Sequence, residues 1–144
     1  MNLDFSRLLK EKRIRKRDTD VSKIRSLIES ARNSVDVVSS LTFNEKNATV
    51  IFREIYESIR QLGDARFWLL GYEPLDHSIS LESLKGLDLK DSVKLNFLDR
   101  FRQIRHDANY RGFIVSELQA REIFDFWEAC AKEIILLLLK ECNA

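Results

Sequence analysis

An all-α fold, an antiparallel bundle of four to five helices, is predicted by three features of the sequence. Four glycines and one proline fall between stretches of helical period. Within those stretches apolar residues recur every three to four positions, and no stretch alternates at period two between turn residues, so nothing predicts a sheet. At 144 residues, 44% hydrophobic and 33% charged, the chain is long enough for one core and too apolar to stay disordered. It reads as a single domain over 1–144, with a basic N-terminal extension at 1–17.

The first long helix runs from about Thr19 to Leu41 on the stripe Val21, Ile24, Ile28, Ala31, Val35 and Val38, with Asp18 or Asp20 capping its exposed amides. Thr42 and Glu45 have the spacing of a capping box for a second helix, striped by Ala48, Ile51, Phe52, Ile55, Ile59 and Leu62. This helix passes Gly63 and continues through Phe67 and Trp68 toward Gly71. Residues Gly71 to Lys90 form a long connection with one short helical turn near Leu81 to Lys85. A third helix spans about Asp91 to Ala108, turning Val93, Phe97, Phe101, Ile104 and Ala108 to the core. After Gly112, Ser116 and Gln119 form a capping box, and Val115 with Ala120 a hydrophobic staple, for a last helix with Ile123, Phe124, Trp127, Ala131, Ile134 and Leu138 on its apolar face.

Net charge is only +1, so bulk electrostatics select no polyanion partner. Residues 1–17 are nonetheless strongly basic, and the remainder is net acidic. The basic run Lys10 to Arg17 is either a solvated surface or a phosphate contact, and Leu3, Phe5, Leu8, Leu9 and Ile14 predict that part of it packs. The longest apolar run, Ile134 to Leu139, is too short to cross a bilayer, and Met1 to Arg17 lacks the apolar centre of a secretory signal. The expectation is a cytoplasmic protein without membrane contact. Cys130 and Cys142 would lie about 18 Å apart on one helix, which predicts free thiols. Asp76 and His77 have no second ligand pair at useful spacing and predict no metal site. No glycine-rich phosphate loop is present, and no cofactor is expected.

Chemistry concentrates in Arg100 to Gly112. On a helix Arg102, Arg105, His106 and Asn109 share one polar face while Phe97, Phe101 and Ile104 face inward. Guanidinium forks bind non-bridging phosphate oxygens, and an imidazole moves protons near neutral pH. Together they are minimal equipment for metal-independent RNA cleavage, in which a base activates the ribose 2′-hydroxyl and a cation stabilises charge on phosphorus. The competing reading is a solvated face paired with acids such as Asp99 and Asp107.

The stretch Leu98 to Trp127 resembles the last helical hairpin of HEPN domains (higher eukaryotes and prokaryotes nucleotide-binding domains). Arg105, Ala108 and Tyr110 match the Arg-containing signature that closes one helix, and Val115, Ser116 and Ala120 match the capped start of the next. The resemblance implies a HEPN-like bundle that forms a homodimer with two signatures across a cleft. It also implies RNA or nucleotide as ligand and, in active members, a metal-independent endoribonuclease, often a toxin paired with a nucleotidyltransferase antitoxin. On this basis Arg105 and His106 are the candidate catalytic residues, and Arg100, Arg102, Asn109 and Tyr110 the candidate binding residues. The family signature places His after Arg and four to six intervening residues. From Arg105 those positions hold Tyr110, Arg111 and Gly112; from Arg100 the spacing reaches His106, but six helical steps turn that pair about 120° apart. The alternative function is a catalytically inactive dimer or helical adaptor, with a regulatory role in nucleotide, RNA or protein binding.

Overall fold

The computed structural model describes residues 3–143. The chain forms α1 (Phe5–Lys10), β1 (Ile14–Lys16), α2 (Val21–Ser39), α3 (Ala48–Leu69), β2 (Tyr72–Pro74), α4 (Glu82–Lys85), α5 (Phe97–Tyr110), α6 (Glu117–Phe126) and α7 (Lys132–Cys142). The mostly helical architecture agrees with the predicted class.

The α2 stripe is buried from its second member on, with Ile24, Ile28, Ala31, Val35 and Val38 inside, whereas Val21 in the first turn is exposed. Of the two candidate caps, Asp20 is the one used, its carboxylate accepting the Lys23 N–H at 3.0 Å. Helix α3 is the central element, contacting α2, α4, α5, α6 and α7, and its stripe from Ala48 through Phe67 is buried. The Thr42–Glu45 capping box does not form. Asn44 and Asn47 instead build the turn, the Asn47 side chain accepting the Asn44 N–H and donating to the Thr42 carbonyl, both at 2.9 Å. Glu45 is used elsewhere, accepting the Glu117 N–H at 3.0 Å and so satisfying an open amide of α6.

Gly63 lies inside α3 without breaking it, because it is the point where the long connection touches the helix. A Cβ there would lie 2.2 Å from the Ser80 carbonyl oxygen. Beside it, buried Asp64 accepts from Ser80 Oγ and from Arg60 at 2.7 Å, and lies 3.3 Å from His77 Nδ1. Asp76 turns away to Arg13 at 2.8 Å, so Asp76 and His77 serve different partners. The predicted turn at Leu81–Lys85 is α4, preceded by a single 3-10 turn at His77–Ile79.

The structure corrects the expectation that there is no sheet. Strands β1 and β2 pair antiparallel, with Ile14 opposite Pro74 and Lys16 opposite Tyr72. Three residues per strand are too few for a period-two signal. Packing and charge hold them instead. Leu8, Ile14, Phe67 and Ile79 form a second small core, Phe5 stacks on Tyr72 at 4.8 Å, and Glu73 takes both Arg15 and Arg17. Thus much of the basic N-terminal run is folded and ion-paired.

The third predicted helix also differs at its start. Residues Ser92–Asn96 form a 3-10 turn, and the α-helix begins at Phe97. Val93 is 72% and Phe97 46% exposed, while Leu95 and Leu98 are buried, so the core stripe enters on these leucines instead of the residues expected. The last helix opens on the predicted Ser116–Gln119 capping box, but a π turn at Trp127–Ala131 divides it. Cys130 and Cys142 are free.

Candidate functional site: the seam between α3 and α5

Arg53, Tyr56 and Arg60 step by three and four along α3, and Arg102, Arg105 and Asn109 do so along α5. The two stripes meet in opposite order. Arg53 Nε donates to Asn109 Oδ1 at 2.8 Å, while the Arg105 guanidinium lies over the Tyr56 ring, 5.5 Å from its centroid. This antiparallel seam exists because the neighbouring stripes, Phe52 on α3 and Phe101 on α5, meet edge to face at 6.1 Å in the core.

The six predicted site residues divide into those the seam gathers and those it does not. Arg100 points to α6 and forms a forked pair with Glu122 at 3.1 and 3.2 Å. Arg102 is bound by Asp99 at 3.1 Å and Glu82 at 3.5 Å. The solvated, acid-paired reading therefore describes these two. Arg105 is half-buried, and Asn109, His106 and Tyr110 are exposed. The His106 and Tyr110 rings lie 4.9 Å apart, tilted by 46°. Neither Arg105 nor Arg53 has a carboxylate within 4.0 Å among the described residues. Each is held instead by a neutral partner, which fixes its direction without cancelling its charge.

Burial pushes the Tyr56 hydroxyl above its ordinary pKa of 10.0, and the nearby Arg105 opposes the shift. The phenol thus stays protonated at neutral pH and can donate to an anion. Arg60, the second cation of the α3 stripe, is taken by Glu57 and Asp64.

Arg53 and the stacking role of Tyr56 are absent from the sequence reading. The only available signal was the three-to-four spacing of Arg53, Tyr56 and Arg60 along the flank of an apolar stripe. Polar residues at helical spacing mark any surface helix, so the pattern gains meaning only when α5 lies beside it. Chemically, the seam offers two oriented guanidiniums, an amide and an imidazole, with the largely buried Tyr56 phenol beneath Arg105. No group of three His, Cys, Asp or Glu suited to a metal ion occurs among the described residues, and no described helix is long and apolar enough to cross a membrane. Comparison with known proteins finds no matching family model, curated protein or solved structure.

Proposed function

We propose that the chain is a HEPN-like helical protein that binds RNA or a nucleotide through the α3–α5 seam. The observation that carries this reading is the pair Arg53 and Arg105, each oriented by a neutral side chain and free of carboxylates within 4.0 Å among the described residues. A half-buried cation such as Arg105 usually gains an acid partner. Its lack of one, beside an exposed Arg53 that is also held by a neutral partner, suits an anion supplied from outside, and a phosphodiester fits their forked donors.

Fluorescence anisotropy with a labelled oligouridylate tests the reading. Arg105→Ala or Arg53→Ala should each weaken binding by about 10- to 150-fold, in line with about 1.5–3 kcal/mol for a charge-assisted hydrogen bond. Equal affinity in wild type and both variants would remove the seam as the site.

Exposed His106, one residue from Arg105 and in contact with the Tyr110 ring, favours ribonuclease activity as a second reading. Cleavage of RNA in excess chelator, lost in His106→Ala while oligonucleotide affinity stays, is the expected result for that activity. Intact RNA with tight binding leaves the protein as a binding module.

A further inference from the structure

The α5 stripe does not end at Arg105. One turn earlier, Arg102 borders a cavity of about 320 Å³ between α1, the His77–Ile79 turn, α4 and α5, with Arg7 and Arg13 also on its wall. Three guanidiniums around one opening would attract a phosphate, but acids of the chain already stand there. Glu82 Oε1 takes Lys85 at 2.8 Å and Arg102 at 3.5 Å, Asp99 takes Lys85 at 2.7 Å and Arg102 at 3.1 Å, Glu11 lies against Arg7 at 3.1 Å, Asp76 takes Arg13 at 2.8 Å, and Asp4 is also on the wall.

The hold of Glu82 on Arg102 is incomplete. Its second oxygen, Oε2, is buried and has no hydrogen-bond partner, and the contact with Arg102 is the longer of its two. A carboxylate bound through one oxygen competes poorly with a phosphate, which offers several. When Arg102 leaves, Glu82 keeps Lys85, so opening the contact strands no charge.

We propose that Arg102, with Arg7 across the cavity, is a second phosphate subsite held closed by Glu82 and Asp99. Its ligand is a further phosphate of the polyanion taken at the seam, an assignment that rests on the proposed function of that seam. Glu82 and Asp99 then act as built-in competitors: their oxygens stand where phosphate oxygens go, and binding at the subsite exchanges one set for the other. Arg102 lies about 4.5 Å along the helix axis from Arg105, at 1.5 Å per residue, which suits neighbouring phosphates of one strand.

The test uses the full chain and the labelled oligouridylate over a series of salt concentrations. Glu82→Gln should tighten binding several-fold and steepen the dependence of log K on log salt by about 0.7, the increment for one more phosphate contact on a single strand. Asp99→Asn, at a side chain 59% exposed, should give a gain of the same sign with little risk to folding. Both gains should vanish when combined with Arg102→Ala. Glu128→Gln, which removes the same charge at the π turn, should change neither quantity.

A gain that survives Arg102→Ala, or that Glu128→Gln reproduces, overturns the subsite. So does unchanged affinity in both Glu82→Gln and Asp99→Asn with unaltered circular dichroism. The seam can fail separately: binding by Glu82→Gln but not by wild type would support the subsite and remove the seam as the primary site. Absence of binding by wild type and both acid variants overturns both.

Discussion

At the scale of single residues, Arg105 and Arg53 share with Arg25 and Arg66 a neutral partner, and what sets the pair apart from the arginines around them is the charge of their partners. Arg13, Arg15, Arg17, Arg60, Arg100 and Arg102 all meet carboxylates, whereas Arg105 meets a ring and Arg53 an amide. A guanidinium stacked on an aromatic face keeps its edge donors for another group. Gly63 shows a different single-residue constraint. Alanine would normally favour a helix interior by about 1 kcal/mol over glycine, but here its Cβ would meet the Ser80 backbone. Overpacking of this kind costs about 1–3 kcal/mol, and the atom it meets is main chain. Gly63→Ala should therefore lower the melting temperature despite the better helix former. A rise would mean that the connection yields easily and that its docking on α3 is weak.

At the scale of elements, the β1–β2 pair is the least secure part of the fold, since three-residue strands have little ladder of their own. Hydrogen bonds from Arg15, strengthened by its charge and by Arg17, outweigh burial and hold the Glu73 carboxyl below its ordinary value of 4.5. Burial pushes Asp76 up, but bonds from Ser78 and Arg13 bring it below its ordinary 3.8. Both groups have lower pKa values folded than unfolded. Their stabilisation is thus complete well above pH 4.5 and is lost as pH falls through the folded values. Hydrogen exchange should show the Arg17 and Leu75 amides, which bond to Gly71 and Arg13, losing protection in acid before the core of α3. Simultaneous loss would show that the N-terminal segment and the bundle unfold as one unit. The elements also show what the sequence made legible. The bounds of α2 were readable within about two residues and the end of α3 likewise, but α3 starts about five residues after its expected cap at Thr42; the Ser116–Gln119 box correctly marked α6. The strands were not readable, because their stability comes from Glu73, Phe67 and Ile79, more than 50 residues away from β1. The first turn of the third predicted helix misled for a related reason: Val93 and Phe97 fit the period, but no element covers them.

At the scale of the whole molecule, four of the exposed apolar residues fall within nine positions of the chain, from the end of α5 to the start of α6. Tyr110, Phe113, Ile114 and Leu118 are 57–80% exposed on a link pinned by bonds from the Phe113 N–H to Asp107 O and the Val115 N–H to Thr49 Oγ1. A fixed apolar surface of this kind suits a protein contact, and the HEPN-like reading assigns it to a second copy. Ile114→Asp should then convert a dimer to a monomer in sedimentation velocity without altering the melting temperature, whereas a wild-type monomer at tens of micromolar would remove that assignment. The α5 candidates were legible as residue types at helical spacing. Which of them keep their charge available was not, because that depends on acids brought in by α4 and α6 and on Tyr56 of α3. Amide chemical shifts followed through a titration with oligouridylate locate the binding surface. The largest perturbations should fall at residues 53–57 of α3 and 105–110 of α5; perturbations confined to other surfaces, or none at saturating oligonucleotide, would place binding away from the seam.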